Sequence, residues 1–189
     1  MTAQSLFTVA DLDLMPEDGN RYEVIEGDIF MSRAPSVLHQ LAVHVLDKSL
    51  GNYVDQNPIG IVLPGPGVIF DEFNGVIPDL VFISSEREAQ VAGGERITGS
   101  PDLVIEILSP GADNERRDRD IKRRLYSKFG VKEYWIGDLK NRRIEIYRLK
   151  DDVLEHAATL GQDEEITKDL LPGFRCSVRS IFRARSAPA

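Results

Sequence analysis

Two apolar, strand-like runs decide the fold: Val76-Ile77-Pro78-Asp79-Leu80-Val81-Phe82-Ile83 and Pro101-Asp102-Leu103-Val104-Ile105-Glu106-Ile107-Leu108-Ser109. Each carries an acid among aliphatic residues. Glu106 stands where alternation predicts another Val or Leu. An ionised carboxylate is costly to bury, so it is normally exposed, paired or bound to a metal. Two such carboxylates on adjacent strands make a site for a divalent cation. Each also has a plainer reading: Asp79 as an edge or turn carboxylate after Pro78, and Glu106 as a solvent-facing residue on a one-sided strand.

Working outward, the spacing predicts a short helix over 9–14 capped by Thr8, then a hairpin of 22–25 and 29–31 around Glu26-Gly27. Ser36 caps a longer helix to about Val54, with Leu38, Leu41, Ala42, Val45 and Leu46 on one face. Short strands follow at 60–63 and 68–71. The two central strands span 77–83 and 103–108, joined by a charged, Gly-rich loop at about 85–99. A helix over 114–129 presents Ile121, Leu125 and Phe129 as its core stripe, with Gly130 at its end. Strands at 133–136 and 144–147 complete the core, and residues 171–174 read as a loop. This order gives an α/β or α+β fold with a mixed central sheet flanked by helices.

The chain has 189 residues and 42% hydrophobic content, which suits one domain over residues 7–182 with flexible ends at 1–6 and 183–189. A lone Cys176 excludes an internal disulfide and a cysteine zinc site. No signal peptide stands at the N-terminus and no membrane-length apolar run occurs, so a cytoplasmic, membrane-free protein is expected. The phosphate-loop pattern is absent, no Ser-centred nucleophile motif occurs, and the three histidines lack metal-site spacing.

The net charge of -8 argues against a non-specific nucleic-acid binder. Residues 115–124 run the other way, with six basic and three acidic side chains. Magnesium asks for a few carboxylates and keeps water and substrate phosphate in its shell, so Asp79 and Glu106 suffice for one ion, with Glu23 in support. Lys122, with Tyr126 four residues on, is the candidate to orient or deprotonate an attacking water. Its plainer reading is a surface charge or a weak Asp118–Lys122 pair. His39 either faces the cleft or sits at the surface.

These pieces resemble the Uma-type restriction endonuclease family within the PD-(D/E)XK nuclease superfamily. The resemblance runs from about Phe7 to Phe182. It rests on Tyr22-Glu23-Val24-Ile25-Glu26-Gly27, the Ser36 to His39 segment, Ile77-Pro78-Asp79-Leu80 and the stretch from Ser100 to Pro110. Lys122 to Tyr126, Gly130-Val131-Lys132-Glu133-Tyr134-Trp135-Ile136 and Leu171-Pro172-Gly173-Phe174 complete it. The resemblance implies a restriction-endonuclease-like core and Mg2+-dependent (or Mn2+-dependent) hydrolysis of phosphodiesters in DNA. It makes Asp79 and Glu106 the metal ligands and Glu23 the upstream acid. Leu108 departs from the pattern, which places lysine there; Lys122 is the replacement it points to. Arg116, Arg117, Arg119, Arg123, Tyr126 and His39 are then the expected DNA contacts, and a homodimer is expected for cutting two strands. The alternative is a nuclease-like fold that binds nucleic acid or a protein without cutting, and a third reading is a nuclease for RNA or branched DNA.

Overall fold

The strand that carries Glu106 shows how the molecule is layered. A computed structural model describes residues 6–168 and 170–182; the side chain of Lys168 lies outside the described residues, as do the expected flexible ends at 1–6 and 183–189 except for Leu6. A 3-10 turn at Val9–Leu14 precedes β1 (Arg21–Ile25), β2 (Asp28–Ser32), α1 (Val37–Gln56), β3 (Gly60–Pro64), β4 (Val68–Asp71), β5 (Asn74–Val76) and β6 (Leu80–Ser84). Next come α2 (Ser85–Val91), β7 (Ile97–Thr98) and β8 (Leu103–Ile107). A continuous helical run follows as α3 (Ala112–Arg116), a π-helical segment (Arg117–Lys122) and α4 (Arg123–Lys128). The chain then forms β9 (Glu133–Asp138), β10 (Arg143–Lys150), β11 (Val153–Leu160), β12 (Glu165–Lys168), β13 (Leu171–Ser177) and α5 (Val178–Ile181).

Six strands make the central sheet in the order β11-β10-β9-β8-β6-β3. Among the described residues, β8 and β9 are its one pair of parallel neighbours. A parallel pair needs a crossover, and the α3–π–α4 run supplies it. Along β8, Leu103, Ile105 and Ile107 pack toward α1, whereas Val104 and the following Leu108 pack with Leu125 and Tyr126 of α4. Strand parity sends Glu106 to this second side. There the five-stranded sheet β2-β1-β5-β4-β7 also packs, through Ile25, Val68 and Val76. Glu106 therefore projects into the seam between two sheets and a helix.

The hairpin of β1 and β2 fixes the other wall of that seam. Ile25 pairs with Asp28 across a two-residue turn, and Glu26 and Gly27 both have positive φ, at 53° and 80°. This is the turn whose twist suits a tight hairpin. Asn74 Oδ1 accepts from the Glu26 N–H at 2.9 Å, tying the turn to β5.

Helix α1 starts as expected, with Ser36 Oγ accepting from the His39 N–H. Its buried stripe is His39, Ala42, Val43, Leu46, Leu50 and Val54, while Leu38 is 56% exposed. The helix is rotated from the apolar reading because His39 is drawn inward beside Asp79. Several elements lie where no helix or strand was expected: α2 and β7 in the loop expected at 85–99, the three-residue β5, the eight-residue β11 at one edge of the central sheet, and β12 with β13, a separate ribbon that takes in residues 171–174. Pro172 is tolerated in such a two-stranded edge. The central strand expected from 77 begins at Leu80, which leaves Asp79 at its threshold. Among the described residues, no helix is long and apolar enough to cross a membrane.

Candidate functional site

Antiparallel pairing of Leu80 with Ile105 brings the threshold of β6 beside the end of β8, and Asp79 beside Glu106. The backbone N–H of Ile107 donates to Asp79 Oδ2 at 2.8 Å, so one peptide step links the two acids. His39 Nε2 lies 3.1 Å from the same oxygen. Glu106 Oε1 accepts from Lys122 Nζ at 2.8 Å and from the Tyr126 hydroxyl at 3.0 Å. Lys122 Nζ also lies 2.8 Å from Glu23 Oε1, which accepts from the Ile77 N–H. The sequence-predicted Glu23, Asp79, Glu106 and Lys122 thus meet in one cleft of about 420 Å³, its open mouth included.

Lys122 is 2% exposed, which rules out the reading of a solvated surface charge. The π-helical segment buries Arg117, Asp118 and Lys122 together, and such segments recur at functional sites. The sequence reading makes Asp118 only a weak surface partner of Lys122, not part of the site. Its signal was the 118, 122, 126 series, one helical flank carrying an acid, a base and a tyrosine. The stripe instead expected as Ile121, Leu125 and Phe129 is buried only at Leu125; its other two members are half-buried.

Burial raises the pKa of Glu106 to about 8 against the attraction of Lys122, and Asp79, Asp118 and Glu23 repel its charge further. Burial likewise raises Asp118, opposed by Lys122 and Arg117. For Lys122 burial disfavours the charge, but Glu106, Glu23 and Asp118 outweigh it and hold the pKa above the ordinary lysine value. Lys122 is thereby held between the two glutamates with its ammonium protons available as hydrogen-bond donors.

The expected DNA contacts divide. Arg117 lines the cleft, donating from Nη1 to Ser32 Oγ at 2.7 Å and from Nε to Asp118. Arg116 is exposed at the end of α3. Arg119 is spent on Glu115, Asp138 and Glu145, and Arg123 bonds the carbonyls of Arg119 and Leu154 and lies over the Tyr147 ring. Tyr126 is fully buried and His39 is 4% exposed. Arg119, Arg123, Tyr126 and His39 accordingly do not form an open phosphate-binding face; Tyr126 and His39 serve the two acids instead. Sequence reasoning missed Arg21 and Arg33, which line the cleft from the two ends of the hairpin. Arg21 Nη1 lies 3.9 Å from Asp79 Oδ1.

The donor set fits a hard cation that keeps water. Among the described residues, no hydrogen bond reaches Asp79 Oδ1 or Glu106 Oε2, and both acids line the cleft. No three His, Cys, Asp or Glu side chains among the described residues cluster as a closed cage. Two carboxylate oxygens with the remaining positions left to water and phosphate suit Mg2+.

The family model described as "Uma2: Putative restriction endonuclease" matches residues 9–179. The chain belongs to this family. A crystal structure from Anabaena variabilis, described as "a putative nuclease belonging to DUF820", is similar over 93% of this chain and 97% of that one, with a TM-score of 0.75 at 19% identity. It shares the restriction-endonuclease-like fold. No curated protein matches. In this Uma2 chain Leu108, at the position where the superfamily pattern places lysine, is 5% exposed and sits in the apolar cluster with Leu125 and Tyr126. Lys122 reaches Glu106 from the helix that packs on that face.

Proposed function

We propose that this Uma2 protein is a divalent-metal-dependent endonuclease that hydrolyses phosphodiester bonds in DNA. The observation that carries the reading is the convergence of Asp79, Glu106, Glu23 and Lys122 from four separate elements into one cleft, with Asp79 Oδ1 and Glu106 Oε2 left unbonded. Asp79 and Glu106 would hold Mg2+ or Mn2+. Such a cation supplies Lewis acidity and lowers the pKa of water. Glu106 and Glu23 hold the Lys122 ammonium in place. Lys122 in turn donates toward the developing charge on the phosphate, a contribution whose loss costs about 100- to 1,000-fold at comparable sites. Arg21, Arg33 and Arg117 border the cleft and supply the positive charge that a phosphate chain needs. Cutting both strands of a duplex calls for two such clefts, and we extend the proposal to a homodimer, which light scattering tests.

The test is cleavage of plasmid and single-stranded DNA with Mg2+ or Mn2+, wild type beside Glu106→Ala. Metal-dependent cutting that disappears in the variant is expected. Cutting that persists in the folded variant contradicts the assignment. One observation favours the second reading, a binding module without turnover: Leu108, where the resemblance leads to an expected lysine, is 5% exposed in the apolar cluster. DNA retention without cutting under several metals would support it.

A further inference from the structure

His39 has no role in the chemistry so far described, yet it is buried against it. It occupies the third position of the 20-residue helix α1, where the Ser36 hydroxyl holds its backbone N–H at 3.2 Å. That cap fixes where the side chain leaves the helix. The ring reaches the threshold of β6 and places Nε2 at 3.1 Å from Asp79 Oδ2. The opposite nitrogen, Nδ1, is buried without a hydrogen-bond partner. A buried polar atom left unpaired is destabilising, and a leucine or methionine would avoid it. The histidine is accounted for by its other nitrogen.

That nitrogen acts on the least supported of the three acids Glu23, Asp79 and Glu106. Glu106 is gripped by Lys122 and Tyr126, and Glu23 by Lys122 and Ile77. Asp79 has the Ile107 N–H on Oδ2, and Arg21 at 3.9 Å from Oδ1 is too far to fix it. With the Ile107 N–H alone, the carboxylate can pivot about its one bonded oxygen. With His39 and Ile107 both on Oδ2, the pivot is blocked and Oδ1 is the oxygen left to the cleft. Because a carboxylate oxygen only accepts, this contact calls for a proton on Nε2.

We infer that His39 is a positioning residue: its Nε2, together with the Ile107 amide, aims Asp79 Oδ1 at the cation position shared with Glu106. The inference rests on the metal-dependent reading of the cleft proposed above. Groups that orient metal ligands from behind matter for affinity, and their removal typically weakens metal binding about 10- to 100-fold.

The test is direct Mn2+ binding to the DNA-free full chain, followed by the electron paramagnetic resonance signal of free Mn2+. Wild type is compared with His39→Ala, His39→Gln and Asp79→Asn, each checked for folding by circular dichroism. His39→Ala is expected to weaken binding by about 10-fold or more. His39→Gln, whose terminal amide can reach the same oxygen, should stay within about 3-fold of wild type. If His39→Ala does not fold, His39→Asn serves in its place, since its amide is too short to reach Asp79. In cleavage assays His39→Ala should raise the Mg2+ concentration for half-maximal rate while leaving the rate at saturating Mg2+ nearly unchanged, His39→Gln should behave as wild type, and Asp79→Asn, which removes a ligand, should lose both Mn2+ binding and cleavage. Wild-type affinity in folded His39→Ala overturns the inference while leaving the cation site intact. Equal weakening in His39→Ala and His39→Gln also overturns it, because a donor to Asp79 is then not what matters. Wild type that binds no Mn2+ overturns the metal site itself, and the inference with it.

Discussion

Two groups of buried acids lie on opposite flanks of the same helical run, and their electrostatics have opposite signs. On the β9–β10 flank, Asp138 and Glu145 are surrounded by Arg119, Arg143 and Asn141. Burial works against their charges, yet hydrogen bonds from these partners outweigh it and both pKa values fall below the ordinary range. On the cleft flank burial wins, and Glu106 and Asp118 are both raised. The first group has more donors than its charges require. The second crowds Glu23, Glu106 and Asp118 around one lysine and leaves oxygens unbonded. Satisfied acids tie strands together; undersatisfied acids in a cleft leave oxygens open, which is the basis of the proposed cation site. Asp102 follows the first pattern although it lies only four residues before Glu106: Lys132, the Ser84 N–H and Arg87 overcome its burial and lower its pKa.

The sharpest way to break this contrast is to neutralise one acid on each flank. Glu106→Gln should abolish metal-dependent DNA cleavage, whereas Glu145→Gln should leave the rate within about 3-fold, since its carboxylate only braces a satisfied structural network; plasmid-nicking rates decide. If both variants lose activity alike, the two groups are not functionally distinct.

The next largest effect is on stability. Lys122→Met leaves Glu23 and Glu106 facing each other without their shared cation. Breaking a buried pair from one side costs about 3–5 kcal/mol, and urea denaturation should show a loss of that order. A loss below about 1 kcal/mol would mean that the lysine is not the electrostatic centre of the cleft.

Acid titration separates the flanks further. A carboxylate with a lowered folded pKa contributes stability that is present above its unfolded pKa and lost as pH falls through the folded one. Asp102, Asp138 and Glu145 are all of this kind, so stability should drop from about pH 4 downward. Asp102→Asn should be less stable at neutral pH and show a shallower acid decline. A decline as steep as wild type would contradict the lowered pKa of Asp102. The smallest effect belongs to Glu115, whose Arg119 partner sits four residues on at a half-exposed surface. Glu115→Ala should change stability by no more than about 0.5 kcal/mol in the same urea measurement.

Much of this was legible in the sequence, and the gaps have physical causes. Glu106 stood out because a carboxylate interrupted an aliphatic alternation, and the same alternation located β8 and its partner β6. Elements of two or three residues, β7 and β5, fell below the length at which periodicity carries a signal. Helix α1 was found but misrotated, because apolar periodicity cannot foresee a histidine drawn inward by Asp79. The basic run 115–124 looked like a phosphate-binding face, yet Arg119 is spent on Asp138 and Glu145, which β9 and β10 bring from afar in sequence. Arg21 escaped notice for the mirror-image reason: nothing near it in sequence shows that the hairpin folds over the cleft.

The most direct test of the contrast is an anomalous difference map from crystals grown in Mn2+. A bound ion is predicted within about 2.0–2.6 Å of Asp79 Oδ1 and Glu106 Oε2, with none between Asp138 and Glu145. An empty cleft at saturating Mn2+, or an ion held by Asp138 and Glu145 instead, would contradict the claim that the undersatisfied acids form the metal site.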